Sequence, residues 1–375
     1  MRGQRSTHLT PLRAAGLTLV IAAVLASGAG PLLGQARTAP RESAAASPPA
    51  VSPSVLPLLP AIDDVLAELK QLPRLRSLLV SWRGQLVIER YFGGARAGQP
   101  ANVKSAAKSI LSALVGIAID QGLIQDVHQP IGPYFPDLLA GEANRAKRAI
   151  TIEDLLTMRS GLEGTSNRNY GAWVQSPHWV RYILTRKLLS MPGTDMDYST
   201  GNTHLLSAIL TKAARGSTWQ FADRHLARPL GFSLARWPTD PQGVYFGGND
   251  MLLTPRQMVA FGELYLHGGE SGGRRVVSEE WIRASVVPRS QSRWSGQEYG
   301  YGWWIRPLAG YESFHAWGFG GQFIFVVPAL DLVVVSTSSP TTGEGRRTHR
   351  RTVDEVIESR LVPAIAEGHR ALLTR

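Results

Sequence analysis

Ser105-Ala106-Ala107-Lys108 leads into an apolar stretch, Ser109 to Ala118, with the character of the first turns of a buried helix. Positions three apart on a helix share a face, so the Ser105 hydroxyl and the Lys108 amine can come within hydrogen-bond reach. A serine hydroxyl is a weak nucleophile until a base removes its proton, and a lysine desolvated by apolar neighbours has its pKa lowered toward that task. Unpaired N–H groups at the helix start lie where negative charge develops on an acyl adduct of Ser105. Ser105 is thus the candidate nucleophile and Lys108 the candidate base. The plainer reading of the same four residues is an ordinary helix start, with Ser105 as N-cap and Lys108 in solvent.

A lysine base works better with a partner that carries the proton to the leaving group. Tyr198, in Met196-Asp197-Tyr198-Ser199-Thr200-Gly201-Asn202, is the candidate, in a glycine-containing loop ahead of an apolar helix starting near His204. A phenol beside a lysine ammonium has its pKa depressed and can cycle its proton. The plainer alternative is a tyrosine packed at a loop-to-helix junction. The third element, Ala316-Trp317-Gly318-Phe319-Gly320-Gly321-Gln322, is glycine-rich and enters an apolar strand. Glycine permits close backbone approach, so the Phe319 N–H can join that of Ser105 as an oxyanion hole. A bulge or tight turn entering an edge strand is the competing reading.

The elements that must position these groups fit an α+β chain. Its 375 residues are 43% hydrophobic and 18% charged, the profile of a folded protein with a sizeable core. Residues 1–36 carry Arg2, Arg5 and Arg13, no acid, and an apolar run from Gly16 to about Ala29, the layout of a signal peptide cut after Ala36. The expected location is secreted, periplasmic or cell-envelope, with membrane attachment only if that segment stays uncleaved. Residues 37–60 form an Ala/Pro/Ser-rich tether, and residues 61–375 the folded domain. The absence of cysteine excludes disulfides, a lipidated cysteine and a thiol nucleophile. Net charge is +11, or +8 without the three arginines of the signal segment. The one cluster, Arg346, Arg347, Arg350 and Arg351, reads as a solvated loop-to-helix face, so no nucleic-acid partner is expected.

Within the domain, a helix over Asp63–Leu72 precedes strands at Ser77–Trp82 and Gln85–Tyr91, joined by an Arg83-Gly84 turn. Residues 126–244 carry helical patterns at Ile152–Met158, His178–Leu188 and His204–Arg215. Strands return at Tyr301–Ile305, Gly321–Val327 and Leu332–Ser336, before a terminal helix from Thr352. One sheet built from both ends of the chain, with an inserted helical lobe, accommodates this order.

In order and spacing these residues resemble the serine hydrolases of the penicillin-binding-protein and class C β-lactamase family. Besides Ser105-x-x-Lys108, the family-like landmarks are Thr151 to Thr157, Ser160-Gly161-Leu162, Pro192-Gly193-Thr194, Tyr198-Ser199-Thr200, Gly247 to Thr254, Tyr299 to Trp303 and Gly318 to Gly321. The resemblance implies a mainly antiparallel sheet covered by helices with a helical insertion. It also implies an acyl-enzyme on Ser105 with Lys108 and Tyr198 jointly managing the proton. The nine histidines show no H-E-x-x-H or other ligand spacing, so no metal is expected, and no cofactor is expected either.

Two departures bear on substrate. Where the family usually has Tyr-x-Asn, Thr200 takes the Asn place, with Asn202 two residues on. Where it usually has Lys or His, a small residue and Gly, this chain has Ala316, Trp317 and Gly318, with His315 one position out and hence on the other strand face. Thr200, Asn202, Trp317 and Gly318 are therefore the expected substrate-binding positions, and Trp317 offers an apolar wall instead of a cation. This favours a small-molecule ester or amide, as in the family's carboxylesterases and 6-aminohexanoate-dimer hydrolases. The alternatives are a D,D-peptidase or β-lactamase-like enzyme, with His315 supplying the cation after a local bulge, and a non-catalytic envelope binding protein. Gly269-Glu270-Ser271-Gly272-Gly273 matches G-x-S-x-G, but a helical run rather than a strand precedes it, so Ser271 reads as a surface turn.

Overall fold

The computed structural model describes residues 59–373, so the signal-peptide reading and most of the tether fall outside the described residues. Helix α1 spans Leu59–Lys70, starting two residues inside the segment read as tether. Strands β1 (Leu75–Trp82) and β2 (Gln85–Tyr91) pair antiparallel with Trp82 opposite Gln85. Arg83 and Gly84 both have positive φ, 54° and 70°, the geometry a two-residue hairpin requires. Strand β3 is the short Ala101–Asn102, and a 3₁₀ turn over Lys104–Ala106 leads directly into helix α2, Ala107–Asp120.

From there to β4 (Leu252–Leu253) the chain runs through loops and helices. These are α3 (Arg145–Arg148), α4 (Ile152–Leu156), α5 (Tyr170–Val174), α6 (Trp179–Leu184), α7 (Thr200–Ala213) and α8 (Thr218–Ala222). After α9 (Pro255–Leu266) come the ribbon β5 (Glu270–Ser271) and β6 (Arg274–Arg275), helix α10 (Glu279–Ser285), and short strands β7 (Ser290–Gln291), β8 (Glu298–Tyr299) and β9 (Trp304–Ile305). Strands β10 (Phe314–Gly318), β11 (Gln322–Val327) and β12 (Leu332–Ser338) then precede α11 (Arg346–Val356) and α12 (Val362–Leu373). The expected strand over Tyr301–Ile305 shrinks to its last two residues. Gly302, at φ 78°, turns the chain onto α2 so closely that a Cβ there would lie 2.8 Å from the Lys108 carbonyl. The terminal helix starts at Arg346, earlier than Thr352.

The main sheet has the order β2-β1-β12-β11-β10-β9-β8-β7, and the pairings along it are antiparallel. Alternation sorts β12 onto two cores. Val333 and Val335 face α2, α9 and the helical lobe, while Leu332 and Val334 face α1, α11 and α12. Helix α2 is buried from Ala107 to Ala118, and Gly116 lets Trp281 of α10 lie against it. The result is a rigid, desolvated helix start at the edge of β10, beside the lobe.

Candidate active site

Ser105 caps nothing. The 3₁₀ turn begins at Val103 without a side-chain cap, so the serine hydroxyl is free to face Lys108 one turn on. The Lys108 Nζ lies 3.2 Å from Ser105 Oγ, 3.2 Å from Thr200 Oγ1 and 2.7 Å from the Gly248 carbonyl. Lys108 is only 1% exposed. Burial lowers its pKa to about 7, with Asp250 pulling the other way.

These contacts decide how the amine is used. A carbonyl can only accept, so Gly248 claims one N–H whatever the protonation state. The neutral amine then has one lone pair and one N–H left for two hydroxyls, and Ser105 is the one at the partly exposed end. Thr200 Oγ1 also lies 3.1 Å from Ser166 Oγ, which accepts the Thr200 N–H at 3.0 Å.

Tyr198 lies with its ring under the lysine, Nζ 5.0 Å from the ring centroid. It stacks on Trp304 at 5.6 Å and meets Tyr299 edge-on at 6.2 Å. The depressed phenol pKa expected from the sequence is corrected here. Burial raises it, and the hydrogen bond to Ser105 only partly offsets that, because the neighbouring lysine is itself desolvated rather than a strong fixed cation. Tyr198 is therefore a neutral phenol at pH 7, able to give a proton.

Strand β10 reaches the turn that carries the nucleophile through Gly318. A Cβ at this position would sit 2.1 Å from the Val103 carbonyl, so only glycine lets the end of β10 close on the turn carrying Ser105. Phe319 follows directly after Gly318 in the turn to β11. The β10–β11 register is regular from Phe314↔Val326 to Gly318↔Gln322. No bulge brings His315 round. It is buried on the Phe325 ring at 5.0 Å, and desolvation with Arg306 and Arg350 nearby pushes its pKa down to about 3. A neutral histidine on that face cannot replace the missing cation.

Of the other expected positions, Thr200 joins the Lys108 cluster rather than standing apart as a substrate contact. Asn202 is 1% exposed and accepts from Ser160 Oγ at 3.0 Å, so it is a buried brace within the lobe. Trp317 is partly exposed and 5.9 Å from Trp304, which extends the aromatic ledge from Tyr198. The arginine cluster read as solvated is corrected in part. Arg346 lies 3.8 Å from the Phe319 ring centroid and Arg350 5.2 Å from that of Trp317, while Arg347 and Arg351 are exposed. Their spacing of four on α11 carried that signal. Ser271 lies in the β5–β6 ribbon, far from any strand-to-helix elbow.

The model of one family, Beta-lactamase, matches residues 74–358, a span that holds the buried lysine, the serine one turn away, the phenol beside both and the glycine-ended strand closing on the turn. The chain belongs to the beta-lactamase family. Its relatives include the 6-aminohexanoate-dimer hydrolase of Paenarthrobacter ureafaciens, 26% identical over 294 residues, covering 71% of this chain and 73% of that protein. Similar beta-lactamase-like folds include a family VIII carboxylesterase at TM-score 0.62 and 17% identity, covering 81% of this chain and 97% of the other. A penicillin-binding protein homologue from Pyrococcus abyssi superposes at TM-score 0.62 and 18% identity, covering 82% and 77%. The protein is a serine hydrolase of the beta-lactamase family with an α+β fold.

Proposed function

We propose that this protein hydrolyses a small-molecule ester or amide through an acyl-enzyme on Ser105, and that it does so after export, as the pattern of residues 1–36 suggests. The observation that carries the reading is the 3.2 Å approach of Ser105 Oγ to a buried Lys108 whose pKa lies near 7. Neutral Lys108 takes the Ser105 proton as Oγ attacks the carbonyl, and the N–H groups of Ser105 and Phe319 receive the oxyanion. Tyr198 donates a proton to the leaving oxygen or nitrogen and regains one as water enters. Water then attacks the acyl carbonyl, the same groups reverse their roles, and the acid product leaves. The ledge of Tyr198, Trp304 and Trp317 suits an apolar chain beside the scissile bond. The names of the dimer hydrolase and the carboxylesterase point the same way.

A second reading, a D,D-peptidase or β-lactamase-like enzyme, is favoured by one observation: the Arg346 guanidinium over Phe319 could attract a carboxylate. Brief incubation of mature protein with p-nitrophenyl butyrate, a linear aminohexanoate amide or nitrocefin, followed by intact-mass and turnover measurements, separates these. Ester or amide turnover lost in Ser105→Ala supports the first reading. A stable adduct with nitrocefin alone supports the second. No adduct with any of them replaces both with a binding role.

A further inference from the structure

The residue immediately before the nucleophile is a second lysine in an unusual backbone state. Lys104 has φ 51° and Asp250, facing it, has φ 55°, both in the left-handed region that favours glycine. Non-glycine residues persist there only when their surroundings over-determine them, and such residues cluster at functional sites. Here the surroundings are explicit. Lys104 Nζ lies 2.7 Å from Asp250 Oδ1, and Asn102 Nδ2 donates to the same oxygen at 2.7 Å. Asn102 Oδ1 in turn accepts the Lys104 N–H at 3.0 Å. The Val103 N–H bonds the Met251 carbonyl at 3.0 Å, continuing the ladder in which Ala101 pairs with Leu253 and Asn102 with Leu252. The Lys104 and Asp250 side chains are 22% and 23% exposed, enough shielding for their charges to act on neighbours.

The chief neighbour is Lys108. From the 3₁₀ turn it faces Ser105, from α7 Thr200, from the loop before α7 the Tyr198 ring, and from the 247–251 loop the Gly248 carbonyl. Asp250, on that last loop, is the acid whose charge reaches Lys108, and it also acts on Tyr170, which is held by Asn249 at 2.7 Å. Tyr299 lies behind Tyr198.

We propose that the Lys104–Asp250 bridge is a positioning device for acylation, fixing the Ser105 turn and setting how much negative charge Lys108 feels. The inference rests on the acyl-enzyme reading above and adds a pair of residues that touch neither substrate nor the reacting atoms. In the intact bridge the Lys104 charge opposes that of Asp250, whose pull on Lys108 persists beside it. Without the Lys104 charge, Asp250 acts unopposed and Lys108 holds its proton to higher pH. Without the Asp250 charge, Lys104 acts unopposed and Lys108 gives up its proton at lower pH.

The test is the pH profile of Ser105 modification by a fluorophosphonate in Lys104→Gln, Asp250→Asn, Asp250→Gly and Lys104→Gln/Asp250→Asn, each checked for cooperative thermal unfolding. Glycine at 250 accepts the positive φ without strain, so that variant separates charge from backbone. The acid limb is expected to move up by about half a unit or more in Lys104→Gln and down by a similar amount in both Asp250 variants, with the double variant between. Limbs that coincide with wild type in the folded variants, or that move in one direction for both charges, overturn the proposal. Labelling that survives in Ser105→Ala overturns the acyl-enzyme reading instead.

Discussion

Two basic side chains lie buried on opposite faces at the edge of β10, and only one of them is fit for chemistry. Lys108 and His315 are 1% and 3% exposed, and desolvation pushes the pKa of each well down, to about 7 and about 3. Lys108 meets two hydroxyls and a carbonyl, one hydroxyl belonging to the partly exposed Ser105. His315 meets the rings of Phe323 and Phe325, and its Nδ1 has no partner among the described residues. Burial alone therefore does not mark a functional base. What marks it is burial that stops near the working pH, combined with a proton donor within reach.

The largest expected effects fall on the Lys108 side. Ser105→Ala should lower kcat/KM by about 10⁴-fold or more and Lys108→Met by about 10³-fold, read from steady-state hydrolysis of the best ester. Lys108→Met should also stabilise the fold. Between about 7 and the ordinary lysine value of 10.5 the unfolded chain binds a proton that the folded chain does not. Stability therefore rises with pH across that window, and the penalty is fully present below it. Thermal unfolding followed from pH 6 to 10 should show the wild-type rise flattened in the variant; an unchanged slope would assign it elsewhere.

Next comes the strand that joins the two sides. Gly318→Ala places a methyl 2.1 Å from the Val103 carbonyl and must push β10 away from the Ser105 turn. A loss of about 10²-fold in kcat is expected as the Phe319 donor withdraws, with a much smaller change in KM. A rise in KM with kcat unchanged would mean the strand end serves binding alone. Thr200→Val removes one Lys108 partner but keeps its volume, and should cost about tenfold in kcat through a misdirected amine, with Thr200→Ser restoring most of it. The smallest effect on activity belongs to His315→Phe, expected within roughly twofold of wild type at pH 7. Its signature is acid stability. Between 6.5 and about 3 the unfolded chain protonates this histidine while the folded chain does not, so wild-type stability falls as pH drops through that range. The variant should lose less; His349, with its pKa near 4, and the lowered His204 retain the remainder.

The same contrast explains what the sequence disclosed. Ser105 and Lys108 are three residues apart, in a 3₁₀ turn and the first turn of α2 that continues it, so local spacing is enough to pair them. The β1–β2 hairpin announced itself through Arg83-Gly84, and His315 was placed on the far face by strand alternation alone. Thr200 and Gly248 reach Lys108 across 92 and 140 residues of chain, which no local pattern encodes. The short strands β7, β8 and β9 carry too few residues to alternate, and the glycine turn at 302 disguised the last of them. Tyr198 was found, but the direction of its pKa was misjudged because that depends on how dry the lysine beside it is. Arg346 and Arg350 looked solvated until the helix carrying them met the Phe319 and Trp317 rings.

The central claim is that buried Lys108 is the group that activates Ser105. The rate of covalent modification of the free enzyme by a fluorophosphonate, measured from pH 5 to 9 with the labelled residue located by peptide mass, tests it directly. A single rise centred near pH 7, on Ser105, abolished in Lys108→Met, is the predicted result. A flat profile, a rise that survives in Lys108→Met, or label on another residue would contradict it.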